Sequence, residues 1–277
     1  MSLLTTISLA QEETLSDWIL AARSAGIEQT RLDEIQSRAI DRGISDQQLM
    51  QIIEPAVALA EQNLPTDMIF QKAMEGMAKG IPFQQMNPVL QNLRQNTESV
   101  VSIVDPWIGR AEVSQMMQRS GEQVNGKVFR NELLKAGSKA LSQNVTTESL
   151  KHLLDAIGEE ATLNRAKPSG ILTAVSIFSD LPSTAEHPEA SGSVIARALQ
   201  SGFEADDLQK LPGAMHSAQR RSQLPSASVI EGITGQMQGG SPASQILQNL
   251  FNGNPGGGPP GGMAPGLKNR PDRGRPN

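Results

Sequence analysis

The chain has no cysteine and no tyrosine, and aromatics make up only 3% of its 277 residues. Without cysteine, disulfides, thiol catalysis and thiolate metal sites are excluded, while either redox compartment stays open. With so few aromatics, the apolar load falls on Leu, Ile, Val, Ala and Met, which suit close helix–helix packing. Strand signals are scarce: there is no sustained alternation of β-branched and polar residues. The one β-branched cluster, Val100-Val101-Ser102-Ile103-Val104, reads as a helix extension or a buried connector. No apolar run approaches the length needed to cross a bilayer, so no transmembrane segment is expected. The formal net charge is −5 with mixed signs, which argues against nucleic acid as a partner of the folded part.

What the sequence does contain is a recurring turn. Met74 to Met86 reads as a helix end, a turn at Gly80-Ile81-Pro82 and a new helix start. The same phrase stands 37 residues earlier at Asp41 to Leu49, with Gly43 matching Gly80 and Ile44 matching Ile81. Glycine takes the left-handed conformation that ends many helices, an apolar residue then packs back, and Ser, Thr or Pro opens the next helix. Asn144-Val145-Thr146, Asp180-Leu181-Pro182, Gly202-Phe203 and Gly240-Ser241-Pro242 fit the same scheme. Leu64-Pro65 also matches Leu224-Pro225. These landmarks predict an all-α fold of degenerate helical-hairpin repeats, stacked as a solenoid or an irregular bundle. Three copies are expected near 32–95, 131–190 and 192–251, within a helical domain spanning 12–251.

Along the chain, the short apolar stretch Leu3 to Leu9, with Ser8 and Ala10 at the −3 and −1 positions of a cleavage before Gln11, reads as a signal-peptide remnant over 1–11, implying export to a periplasm or the cell exterior. Ser16 and Thr30 are expected to cap the first two helices, and Ser45 and Thr66 later ones. Leu32, Ile35, Ala39 and Ile40 are expected on one helix face. Pro55, Pro88 and Pro212 should kink their helices. Asp105-Pro106-Trp107 reads as a stop and restart, Asn125-Gly126 as a turn, Ser149 to Leu163 as one helix, and 182–192 as a polar loop. From 252 to 277 the Gly/Pro-rich sequence lacks an apolar face and is expected to be a disordered tail. Its end is basic, with Lys268, Arg270, Arg273 and Arg275.

Catalytic and cofactor chemistry finds little support. His152, His187 and His216 are far apart, and none has a partner at metal-ligand spacing, so no metal or cofactor is expected. Glu159-Glu160 reads as a solvated helix face. Glu75 and Lys79 stand i,i+4 in the favourable order for a surface pair. The rival reading makes Glu75 a helix-end carboxylate of a cryptic hydrolase, although no second acid supports it. Met68, Met74, Met77, Met86, Met116 and Met117 read as core filling, with an adaptable groove as the alternative.

The phrase Lys72-Ala73-Met74-Glu75-Gly76-Met77-Ala78-Lys79-Gly80-Ile81-Pro82, preceded by Leu64-Pro65, resembles one in uncharacterised bacterial helical envelope proteins. Their recurring unit is Leu-Pro…Lys-x-x-Glu-Gly-x-Ala-Lys-Gly-x-Pro, and exported members with Gly/Pro-rich tails are common. The third copy keeps Leu224-Pro225, Gly240 and Pro242 but lacks the Lys-Glu-Gly signature. The resemblance implies a helical fold and an envelope setting, and no activity. The expected function is a non-enzymatic module for a protein partner, using Glu75, Lys79, Gly80 and Pro82 together with the tail cations. The alternative is weak association of the basic tail with an anionic envelope surface.

Overall fold

The structure is a computed structural model describing residues 14–184 and 186–257, and among these every regular element is a helix. The expected signal remnant and the tail cations Lys268, Arg270, Arg273 and Arg275 lie outside the described residues. Two compact units are present. The first holds residues up to Ile108 together with Asn125–Gln143; the second holds Gly109–Val124 and the chain from Asn144 onward.

The first unit contains α1 (Leu15–Ser24), α2 (Gln29–Asp41), α3 (Asp46–Glu61), α4 (Asp67–Ala78) and α5 (Phe83–Ile108), with a later helix, α7 (Gly126–Ser142). Here α1 packs on α3, α3 on α5, α5 on α7, and α2 on α4. In each of these pairs a helix meets the one two positions further along, and between α5 and α7 the chain passes through α6 (Ala111–Arg119). Leu32, Ile52, Ile53, Leu59, Ile69, Leu90 and Trp107 fill its interior.

The second unit contains α6, α8 (Thr147–Ile157), α9 (Glu160–Leu163), α10 (Pro168–Ile177) and a 3-10 turn (Phe178–Asp180). It continues through α11 (Pro188–Gln200), α12 (Ala205–Ser222), α13 (Ser226–Gln238) and α14 (Ala243–Phe251). One row runs α8, α11, α13 and another α10, α12, α14, with α6 reaching α11 through α9. Leu153, Phe178, Ile195, Leu208, Met215 and Ile246 are among its buried side chains.

The recurring turn is the hinge of each hairpin. Gly43, Gly80, Asn144, Gly202 and Gly240 all have positive φ, as their sequence context predicts. At Gly43, Gly80, Gly202 and Gly240 the following amide reaches back five residues: Ile44 to Ala39, Ile81 to Gly76, Phe203 to Ala198 and Ser241 to Gln236, each at 2.9–3.0 Å. That bond satisfies a carbonyl the helix end would otherwise leave open. Asn63 and Gln223 adopt the same conformation (φ 55 and 58) directly before the matched Leu64-Pro65 and Leu224-Pro225. Asp180 departs from the scheme, because it closes the 3-10 turn instead.

Several local expectations are corrected. Thr14 caps α1, its hydroxyl accepting from the Asp17 amide while Asp17 accepts from the Thr14 N–H, so Ser16 lies inside the helix. Glu28 precedes α2, which places Thr30 inside it, and Thr66 precedes α4 without a side-chain bond. Ser45 caps α3 as expected, in a reciprocal box with Gln48. Ile40 is 78% exposed because it lies about 100° beyond Ala39 around the helix, off the buried stripe. Asp105-Pro106-Trp107 does not interrupt α5. Trp107 is buried and Asp105 accepts from the Arg130 guanidinium at 2.6 and 2.8 Å, so tertiary contacts hold the last turn despite the missing proline N–H. Asn125 opens α7 by accepting from the Lys127 amide, in place of a free turn. Gly158 ends α8, so Ser149 to Leu163 is two helices and Glu159 caps the second.

The loop after Asp180 is not solvated throughout. Ser183 and Thr184 are buried; the Ser183 and Ser191 hydroxyls pair at 2.6 Å, and Thr184 donates to the Phe178 carbonyl at 2.6 Å. The expected tail from 252 is also corrected at its start: Pro255 is buried, and its carbonyl accepts from Gln236.

Candidate functional site

The turn at Gly80 sits at the end of α4, whose interior residues explain its local geometry. A Cβ on Gly76 would stand 2.7 Å from the Met86 sulfur, so the glycine lets the Met86 side chain of α5 lie against α4. Met77, Met86 and Met116 are buried, which supports the core reading for these methionines. The next turn of α4 carries the charges. Lys72 Nζ lies 2.8 Å from Glu75 Oε2, and Lys79 Nζ lies 2.5 Å from Glu75 Oε1. Hydrogen bonds from Lys72 and Lys79, reinforced by their charges, pull the Glu75 pKa down to about 2. An acid held ionised in this way is poorly suited to donate a proton at neutral pH.

The Gly80 turn is joined to the Gly43 turn. Arg42 Nη2 donates to the Ala78 carbonyl at 2.9 Å, capping the C-terminus of α4 from one hairpin earlier. The sequence-selected residues Glu75, Lys79, Gly80 and Pro82 therefore share one exposed corner, but Arg42 is the residue that positions it. Each of the two turns carries an exposed apolar side chain: Ile40, 78% exposed, three residues before Gly43, and Ile81, 39% exposed, directly after Gly80.

The second unit repeats the device. Arg165 Nη1 donates to the Gln200 carbonyl at the end of α11, 35 residues on. Lys167 Nζ meets Glu204 Oε1 at 2.7 Å, 37 residues on. The first unit has the same register in Arg42 to Ala78 and Gln62 to Glu98, both 36 residues apart, and in Glu54 to Gln91, 37 apart. Where the chain makes its longer excursion, the register stretches to 45–47 residues, as in Arg110 to Asp155, Arg119 to Asn164 and Glu122 to Ser169. These polar links recur at similar sequence separations, a regularity that the apolar pattern alone does not display.

The Arg165–Glu204 region also forms a cleft of about 260 Å³, lined by Glu122, Lys167, Ser169, Phe203 and Asp206 among others. Ser169 donates to Glu122 through both its amide (3.0 Å) and its hydroxyl (2.6 Å), so the N-terminus of α10 already carries a carboxylate. Glu204 beside it raises the Lys167 pKa, and Lys167 lowers that of Glu204. No motif points directly to this cleft; the 37-residue spacing of Lys167 and Glu204 is the signal that could have found it.

His152 is less isolated than its spacing suggests, with Glu148 at 3.6 Å and Glu189 at 3.9 Å. Among the described residues no group of three His, Cys, Asp or Glu is placed to hold a metal ion, and no helix is long and apolar enough to cross a membrane. The chain matches no family model, no curated protein and no solved structure.

Proposed function

We propose that this chain is a non-enzymatic helical interaction module of a bacterial envelope, and that it meets a protein partner at the corner formed by the Gly43 and Gly80 turns. The observation that carries the reading is that exposed Ile40 and Ile81 belong to the two turns that the Arg42 hydrogen bond joins. Exposed apolar side chains near charged ones are the composition of a small contact centre with a polar rim. Lys72, Glu75 and Lys79 neutralise much of one another, so the corner favours a mixed polar and apolar protein surface over a purely anionic one. The envelope setting rests on the resemblance of the Lys72–Pro82 phrase and of the N-terminal sequence.

The test is affinity capture from the source cells with four chains: the natural one, Ile40→Asp, Ile81→Asp and, as a remote exposed control, Leu20→Asp. A protein held by the natural and Leu20→Asp chains and lost with both isoleucine variants supports the reading. Equal recovery with all four removes it. Fractionation of the cells then decides the location, with the chain in the envelope fraction if the reading is right.

A further inference from the structure

The last described residues do more than end the chain. Pro255 is buried, and its carbonyl accepts a 2.6 Å hydrogen bond from Gln236 Nε2 on α13. Gln236 is itself only 6% exposed, and its Oε1 accepts from Asn249 Nδ2 of α14 at 2.7 Å. A buried amide with both ends engaged is a strong positional constraint, since losing either partner leaves a buried polar group open. Gly232, one helical turn before Gln236, completes the fit: a Cβ there would stand 2.6 Å from the Pro255 oxygen. On the other side, a Cβ on Gly253 would meet the Arg221 Cβ at 2.5 Å. Residues of three helices thus meet the turn-forming segment 252–257, in which the Gly257 amide donates to the Asn254 carbonyl at 3.2 Å, and they hold it by its backbone and one proline ring.

We infer that Gly232, Gln236 and Asn249 form a notch for a proline-bearing turn segment, filled in this chain by its own residues 252–257, and that this strap is displaceable. The notch reads a carbonyl and a ring, so its ligand class is a short Gly/Pro-containing peptide with the Asn-Pro-Gly pattern. The strap leaves α14 through Gly253, whose φ is +78, and a side chain there is strained whatever space it meets. Gly253→Val therefore unseats the strap and leaves the notch untouched. The tether gives the natural strap an effective concentration of about millimolar order, so a free peptide competes poorly with it until the strap is released.

The experiment uses the full chain and a synthetic peptide of residues 252–257. In the natural chain the amide of Asn254, bonded to the Asn249 carbonyl at 2.9 Å, is protected from hydrogen exchange, and added peptide does not bind at sub-millimolar concentration. In Gly253→Val that protection is lost and the peptide binds. Adding Gly232→Ala, which places a methyl where the carbonyl sits, weakens the peptide by roughly tenfold or more. Pro255→Gly releases the strap by a second route, by removing the buried ring, and accepts the same peptide. Retained protection in both released variants overturns the inference. So does lost protection without peptide binding, or binding that Gly232→Ala leaves unchanged.

Discussion

Replacing Gly76 by alanine tests whether α4 and α5 touch as closely as the structure places them. Two opposing effects act at this position. In a helix interior, alanine is favoured over glycine by about 0.5–1 kcal/mol. Against this, the new methyl would stand 2.7 Å from the Met86 sulfur and 3.2 Å from its Cγ, and Met86 is only 3% exposed. Forcing a packed side chain aside costs about 1–3 kcal/mol. The net expectation is a loss of about 1 kcal/mol. Met86→Ala alone costs about 2–5 kcal/mol by leaving a cavity. In that background the added methyl meets open space, and Gly76→Ala becomes stabilising by about 0.5–1 kcal/mol. The sign reversal gives a coupling of about 1–3 kcal/mol, measured by urea unfolding of the natural chain, both single variants and the double. If Gly76→Ala stabilises both backgrounds equally, the close approach of α4 and α5 is wrong.

Three other expectations follow from named residues. The Glu75 carboxyl should titrate near pH 2 by NMR, against an ordinary value of 4.5. Its folded pKa is depressed, so its contribution is present above the unfolded value and is lost as pH falls towards 2; replacing Lys72 and Lys79 together by methionine should return the midpoint towards 4.5. Gly43→Ala should destabilise by about 1–2 kcal/mol, although nothing lies within 4 Å of the added methyl, because its φ of +65 disfavours any side chain. Gln223→Gly should raise the unfolding midpoint modestly, by relieving a glutamine at φ 58, and a fall would mean the turn tolerates that side chain without strain.

The parts of the fold visible in the sequence are those with local causes. Gly43 and Gly80 announce themselves because few residues suit a left-handed helix end, and Ser45 with Gln48 forms a capping box readable at three-residue spacing. Asn63 and Gln223 take the same conformation without glycine, so only the Leu-Pro that follows marks them. Thr14 and Ser16 are both polar candidates to start α1, and only Asp17 at three residues from Thr14 decides between them. Pro106 misleads because local propensity yields to the buried Trp107 and the Asp105–Arg130 pair. The corner site was half visible: Glu75, Lys79 and the Gly80 turn follow from the phrase, whereas Arg42 acts through a contact 36 residues away. Gln236 reads as an ordinary surface amide, and nothing near it in sequence foretells that Pro255 will cover it.

The central claim is that successive hairpins stack with equivalent positions 36–37 residues apart, which brings the Gly43 and Gly80 turns together. The cysteine-free sequence allows a direct test with a short bis-thiol crosslinker on exposed pairs. Arg31→Cys/Asp67→Cys replaces a 2.9 Å ion pair, and Gln62→Cys/Glu98→Cys a 3.2 Å hydrogen bond. Both pairs should crosslink within one chain, while Arg31→Cys/Glu98→Cys, two hairpins apart, should not. Equal crosslinking of all three pairs, or of none, would contradict the stacked register and the corner built on it.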